Sequence, residues 1–352
     1  MTRILAAGDR FIRASQLRQS LERAIGAGTA EISELEFAWP DVPFGRVGEV
    51  DEASGAEDEL IAALDGAVAI ATQLAPMTER TIAASPALRL IAVSRGGPTN
   101  VNLDAARRHG VMVANVPGRN GIATAEMTVG LALALLRRIP LAHGTLLSHE
   151  WRGDFYRFDA IGGEVAGSVI GLLGAGAVGA HVARVFASMG AEAVVFDPYL
   201  PEGALDGVAT RVDTIEEVFS RADLVSVHAR LTPDTHHLVN AARLALMRPG
   251  SRLVNAARGG LVDYDAVADA VESGQLAGAA FDVYPEEPVD FGHRIFALAA
   301  TGHDIVLTPH IAGASRETTN RAADGVAEEI RRYLAGEPLL HPLVEFAQDS
   351  GR

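Results

Sequence analysis

The sequence predicts an α/β protein in two parts, a doubly wound parallel sheet inserted into a second α/β domain. Short apolar runs alternate with Ala-rich helical stretches along nearly the whole chain, the order expected of parallel strands with covering helices. Most of those runs are apolar at successive positions, so they would be buried between two helix layers. Two stretches rich in Gly, Pro and Asn or Ser, 115–121 and 308–315, bracket a self-consistent βαβ series.

Taken in order, strands are expected at 68–71, 88–93, 111–114, 169–173, 193–196, 224–227, 252–255, 278–281 and 305–307. The opening MTRILAAGDR has neither a long apolar core nor a cleavage signal and reads as a first strand. Helices at 124–138 and 321–334 would cross into and return from the insert. A first domain is therefore expected from residues 1–120 and 312–352, with 121–311 as the inserted nucleotide domain. The acidic stretch 51–59 is expected to be an exposed loop. A chain of 352 residues exceeds the usual size of one core, which agrees with two domains.

Composition excludes several function classes. Lys and Arg number 30 against 45 Asp and Glu, a net charge of -15, which argues against nonspecific attraction to nucleic acid or anionic lipid. There is no cysteine, hence no disulfide framework, thiolate metal site or cysteine nucleophile, and no metal is expected. The longest apolar run, 129–136, ends at Arg137 and Arg138, far short of the roughly 20 residues a membrane span needs. A cytoplasmic protein is the expectation.

The segment 169–179 places an apolar strand directly before Gly174, Gly176 and Gly179, with Ala177 and Val178 between them. This is G-x-G-x-x-G in the setting of a Rossmann-type unit. Gly174 would allow the tight turn, Gly176 a close approach of pyrophosphate to backbone, and Gly179 close helix–strand packing. The phosphates would lie on the N-terminus of the following helix. The next strand ends at Asp197, whose carboxylate would accept from both ribose hydroxyls and repel a 2'-phosphate, so NAD is favoured over NADP. The structural alternative is a tight turn in an ordinary βαβ unit; the ordered sequence of strand, glycines, helix, strand and acid favours the cofactor.

Three later segments each end a strand near an ionisable residue: Arg258, Glu287 and His310. Strand carboxyl ends in a doubly wound sheet converge on one crevice, so the three could meet. His310 would take the proton of an alcohol as hydride leaves carbon and return it in reverse. Glu287 would orient the imidazole and stabilise its protonated form. Arg258 would bind a substrate carboxylate or keto oxygen through its planar fork. Singly, each residue is as readily structural. Asp282 could orient a nicotinamide amide, hydrogen-bond within the site or cap a turn.

With these motifs in hand, NGIATAEMT from Asn120, VHARLTP from Val227, NAARGGLVD from Asn255, FDVYPEEP from Phe281 and TPHIAGAS from Thr308, the chain resembles the D-isomer-specific 2-hydroxy acid dehydrogenases. That group includes phosphoglycerate dehydrogenases and glyoxylate or hydroxypyruvate reductases. The resemblance runs from about Leu88 to Leu334 and implies a flavodoxin-like α/β substrate domain around the Rossmann insert. It implies catalysis by Arg258, Glu287 and His310, with Asp197, Pro198, His228, Ala229, Pro233, Asn255, Ala256, Asp282 and His310 beside NAD. Arg95, with the backbone of Gly96 and Gly97, would meet a small anionic 2-hydroxy or 2-keto acid.

The loop 71–73 carries no arginine where phosphate-using members often place one. That leans against phosphoglycerate, although Arg95 and Arg119 could compensate. No appended regulatory domain is expected. The aromatic, basic segment WRGDFYRF, 151–158, falls where the family's subunit interface lies, so a homodimer is expected; a surface loop covering a helix is the alternative. An NAD(H)-sensing corepressor-like protein without turnover is the competing reading. Formate dehydrogenases usually carry Gln where this chain has Glu287, and formate offers no hydroxyl proton to His310.

Overall fold

The computed structural model describes residues 1–39, 45–158 and 160–346, so the last six residues of the expected C-terminal return, 347–352, lie outside the described residues. In chain order the elements are β1 (Thr2–Gly8), α1 (Ala14–Ile25), β2 (Ala30–Glu36), α2 (Glu57–Ala63), β3 (Ala69–Thr72), α3 (Glu79–Ala83), β4 (Leu90–Val93), α4 (Leu103–Arg108) and β5 (Met112–Asn115). There follow α5 (Gly121–Leu136), α6 (Ile139–Leu147), β6 (Val169–Leu173), α7 (Ala177–Ser188), β7 (Glu192–Phe196), β8 (Thr210–Arg211), α8 (Ile215–Arg221) and β9 (Leu224–Val227). The chain ends with α9 (Ala241–Leu244), β10 (Ser251–Asn255), α10 (Tyr264–Glu272), β11 (Leu276–Phe281), α11 (Arg294–Ala300), β12 (Asp304–Leu307), α12 (Arg316–Leu334) and β13 (Pro342–Val344). It divides into two compact units, one from residues 1–119 and 315–352 and the other from 120–314.

The first unit holds a sheet of order β13-β5-β4-β3-β1-β2, parallel except for β13 on β5. Strands β1, β3, β4 and β5 are buried along most or all of their length, and successive residues point to opposite layers. Ile4, Ala6, Ala69 and Ala71 pack with Leu17 and Leu21 of α1 and with Ala323, Val326 and Ile330 of α12. Leu5, Ile70, Ile91 and Val113 pack with Leu60, Ile82 and Ala105 of α2, α3 and α4. The helix α12 starts earlier than expected because the Ser315 side chain accepts the Thr318 amide, a good N-cap. The stretch 51–59 is a correction: Ala53 and Ser54 are buried, and α2 begins at Glu57, which pairs with Arg80 at 3.3 Å.

The second unit holds an all-parallel sheet of order β12-β11-β10-β9-β6-β7-β8, the doubly wound arrangement. One face packs Ile170, Leu172, Val254 and Ala280 under α5 and α7. The other packs Val225, Leu253, Ala279 and Phe281 under α8, α10 and α11. Gly171 lets α8 sit directly on β6, since a Cβ there would stand 2.6 Å from Val218. The strand order reverses beside β6, which makes the β6–β9 boundary the switch point where ligands of such sheets bind.

Candidate active site

The glycine turn after β6 is built so that each glycine answers a different demand. Gly174 has φ +98°, and a Cβ on it would lie 3.0 Å from the Ala229 nitrogen, so the turn rests on the end of β9. A Cβ on Gly179 would stand 2.2 Å from the Gly174 carbonyl oxygen, which draws α7 against the turn. Gly176 has nothing within 4 Å of the same point; its open side is room, not packing. Gly176 also caps α7 without a side chain, and no acidic residue occupies the helix's first turn. The first amides of α7 and its positive dipole end therefore suit an anion.

Asp197, after β7, completes this region. Its Oδ2 accepts from the Ala175 amide at 2.8 Å and its Oδ1 from the Tyr199 amide at 2.9 Å, so the strand end and the glycine turn are held together. A carboxylate has about four lone-pair sites, and the rest remain for a ribose hydroxyl. His228, at the end of β9, lies 2.9 Å from Ser226 Oγ through Nε2, and burial pushes its imidazole down to about 4. A neutral ring beside the anion-binding turn is the result. The turn, the helix end and Asp197 fit a dinucleotide. Pro233 opens a short 3₁₀ turn capped by Thr232 after the same strand.

The carboxyl ends of β10, β11 and β12 carry Arg258, Glu287 and His310, and the local folds explain their placing. Asn255 is fully buried; it accepts the Ala257 amide at 3.0 Å and donates to the Arg258 carbonyl at 3.0 Å, fixing the loop that presents the arginine. A Cβ on Gly259 would fall 1.9 Å from the Tyr284 carbonyl oxygen, so that loop lies directly on the one bearing Glu287. Arg258 itself is exposed, and Ala256 beneath it is buried.

Glu287 Oε2 stands 2.5 Å from His310 Nδ1, and its Oε1 accepts the Tyr284 amide at 2.9 Å. Burial acts to raise the Glu287 carboxyl, but the His310 hydrogen bond and charge, the Tyr284 amide and the nearby Arg258 guanidinium outweigh it, and the net direction is down. Arg258 is close enough to act electrostatically on Glu287.

His310 adopts φ +52°, a left-handed conformation uncommon outside glycine. Asp282 secures it from both sides. This fully buried carboxylate accepts from Thr308 Oγ1 at 2.6 Å, from the Ile311 amide at 2.9 Å and from the Ala312 amide at 2.7 Å. Of the roles left open by the sequence, hydrogen bonding within the site is the one seen. Tyr284 adds a brace the sequence reading did not name: its hydroxyl donates to the Thr308 carbonyl at 3.0 Å. Tyr284 and Thr308 lie inside the motifs that carry Glu287 and His310, and that proximity was the available signal.

Arg95, Gly96 and Gly97 form a loop of the first unit after β4. Arg95 pairs with the Glu52 carboxylate and donates to the Glu52 carbonyl at 3.1 Å. The Gly96 carbonyl accepts from Asn115 Nδ2 at 2.9 Å, and a Cβ on Gly97 would meet nothing within 4 Å. Among the described residues there is no group of three or more His, Asp or Glu placed to hold a metal ion, and no helix is long and apolar enough to cross a membrane.

Comparison with known proteins gives the family. Residues 129–312 match the model of the D-isomer specific 2-hydroxyacid dehydrogenase NAD binding domain. The D-3-phosphoglycerate dehydrogenase of Mycobacterium tuberculosis is 35% identical over 325 residues, 92% of this chain and 56% of that protein. The Sus scrofa D-3-phosphoglycerate dehydrogenase is 34% identical over 297 residues, 84% of this chain and 54% of its own length. The chain thus spans about half the length of the curated relatives it matches. Among solved structures, the holo form of Rhodotorula graminis D-mandelate dehydrogenase superposes with a TM-score of 0.76 at 27% identity, covering 98% of both chains. A Treponema pallidum D-lactate dehydrogenase gives 0.79 at 25% identity, over 98% of this chain and all of that one. With an NAD-binding domain that fills most of its second unit, the chain belongs to the D-isomer specific 2-hydroxyacid dehydrogenase family.

Proposed function

We propose that the protein is an NAD-dependent D-2-hydroxyacid dehydrogenase that also runs as a 2-keto acid reductase. The observation that carries this reading is the Glu287–His310 hydrogen bond with Arg258 beside it, in the same unit as the glycine turn. Bound NAD supplies the acceptor for the hydride leaving the substrate's C2 and returns it in the reverse direction. His310 donates from Nδ1 to Glu287, so Nε2 is the nitrogen that takes the hydroxyl proton, or gives it to the keto oxygen. Glu287, held ionised, stabilises the imidazolium that results. Arg258 binds the small acid and draws charge toward the keto oxygen.

A screen of 2-keto acids with NADH tests the reading. Turnover of at least one acid is expected, abolished in His310→Ala while NADH binding persists. Tight NADH binding with no turnover of any acid would instead identify an NAD(H)-sensing protein of the corepressor type.

The proposed working form is a homodimer in the cytoplasm. Every residue of the largely apolar α6 is at least partly exposed, and Trp151, Tyr156 and Phe158 are 89%, 92% and 93% exposed. An apolar surface of this kind marks an interaction site.

A further inference from the structure

Val283 and Tyr284 share the peptide group that meets Glu287. Its N–H is the Tyr284 amide, which donates to Glu287 Oε1 at 2.9 Å. Its carbonyl, that of Val283, accepts from the Tyr264 hydroxyl. A side chain that the mechanism above leaves unused is therefore one rigid peptide plane away from the acid–base pair. Two donors converge on the carboxylate, the Tyr284 amide on Oε1 and His310 Nδ1 on Oε2 at 2.5 Å, and the first of them is backed by the phenol.

The fold explains why a phenol is needed there. The ladder beside β11 closes with the Thr308 amide on the Phe281 carbonyl at 2.9 Å and the Asp282 amide on the Asn255 carbonyl at 3.0 Å, so the Val283 carbonyl lies past the last strand partner. Val283 is buried, and a buried carbonyl without a donor is costly. Tyr264 opens α10, where the Asp263 side chain caps the helix by accepting the Ala266 amide at 3.1 Å. Its ring is buried, with its centroid 4.5 Å from that of Phe281, 6.4 Å from that of Tyr284 and 6.2 Å from that of His293, which it meets edge-on. The Asn255 side chain donates to the phenol oxygen, which leaves the single phenol proton for Val283. Burial raises the phenol well above its usual range, so it stays a donor across neutral pH.

We propose that Tyr264 is a positioning residue for hydride transfer: by holding the Val283 carbonyl it fixes the peptide plane whose amide grips Glu287, and through Glu287 it sets the aim of His310. A hydrogen bond on the carbonyl also polarises the N–H at the other end of the same peptide, which tightens the grip on the carboxylate. Phe at this position would fill the same volume, but the carbonyl would lose its donor and the plane would be free to turn. The role rests on the dehydrogenase reading.

The test is Tyr264→Phe, assayed with NADH and the fastest acid among pyruvate, 2-oxobutyrate, 2-oxoglutarate and 3-phosphohydroxypyruvate. The kcat should fall about tenfold, the worth of one hydrogen bond, with both Michaelis constants within about threefold of the wild type. The loss should grow as pH falls from about 7.5 to about 5, because the Tyr284 amide is one of the contacts that draw the Glu287 carboxyl down. His310, Arg258, Tyr264 and Tyr284 are the charged and titratable groups that face that carboxyl. In the Glu287→Gln background the same substitution should cost less than about twofold, since the carboxylate it acts through is gone. An unchanged kcat, a loss equal at every pH, or the full loss on top of Glu287→Gln overturns the proposal. A Tyr264→Phe chain that does not fold overturns it too, making the hydroxyl a requirement of the core.

If no keto acid consumes NADH, the dehydrogenase reading fails by itself, and amide hydrogen exchange decides what the phenol holds. The Tyr284 amide should exchange at least about tenfold faster in Tyr264→Phe than in the wild type; equal rates overturn the assignment.

Discussion

Glu287 Oε2 and His310 Nδ1 stand 2.5 Å apart, and the other Glu287 oxygen is held by the Tyr284 amide, so the carboxylate has one orientation. Its pKa is net lowered, burial working upward and the His310, Tyr284 and Arg258 contacts working downward more strongly. The group is therefore ionised across the neutral range, and its support is lost as pH falls through the lowered native value. Glu287→Gln keeps size and polarity but removes charge. It should cost about 10²-fold in kcat and leave NADH affinity within about twofold, read by steady-state kinetics and by quenching of cofactor fluorescence. A comparable loss of NADH affinity would mean that Glu287 supports the cofactor instead of His310.

Two glycines of one turn should respond in opposite ways. In Gly179→Ala the new Cβ would sit 2.2 Å from the Gly174 carbonyl oxygen, so helix and turn must separate at about 1–3 kcal/mol. Gly176→Ala meets nothing within 4 Å and leaves φ at an ordinary value of -64°. Thermal melts should show a lower midpoint for Gly179→Ala only. Titration with NADH should show Gly176→Ala binding about tenfold more weakly, about 1.4 kcal/mol, because the methyl takes the room meant for pyrophosphate. Unaltered NADH affinity in Gly176→Ala would place the phosphates elsewhere.

The exposed rings of Trp151, Tyr156 and Phe158 follow directly on α6, where Leu146 and Leu147 are also exposed. Covering such a surface with a second copy removes large apolar area from water at about 25 cal/mol per Å², and charge placed within it opposes association. Sedimentation equilibrium should give twice the chain mass for the wild type and the single-chain mass for a Trp151→Glu, Phe158→Glu double variant. A monomeric wild type at micromolar concentration ends the dimer reading.

Strands buried on both faces were legible because their sequences are apolar at most successive positions: Ile91 and Ala92 of β4 face opposite layers, and both are buried. The strand β2 escaped notice for the complementary reason. It is an edge strand, more than half of its sequence AEISELE is polar, and none of its residues is fully buried. β8 and β13, of two and three residues, are defined by their neighbours more than by their own composition. At the site, residue types at strand ends pointed to Arg258, Glu287 and His310, since their chemistry is carried by the side chains themselves. Asp282 was ambiguous because its role exists only in the tertiary contacts to Thr308, Ile311 and Ala312.

His228 is held neutral by burial, its value pushed down from about 6.5 in the free side chain to about 4. Between those two values the unfolded chain binds a proton that the native ring refuses, so stability rises with pH there. The contribution is complete above pH 6.5 and is shed as pH falls toward 4. Its size is on the order of 2 kcal/mol after allowance for partial exposure of the ring. His228→Gln removes the titration, so its urea midpoint should change less than that of the wild type from pH 7 to pH 4.5. Parallel curves for the two proteins would show that the ring is already charged in the folded state, and with it that the cofactor-side end of β9 is wetter than its burial indicates.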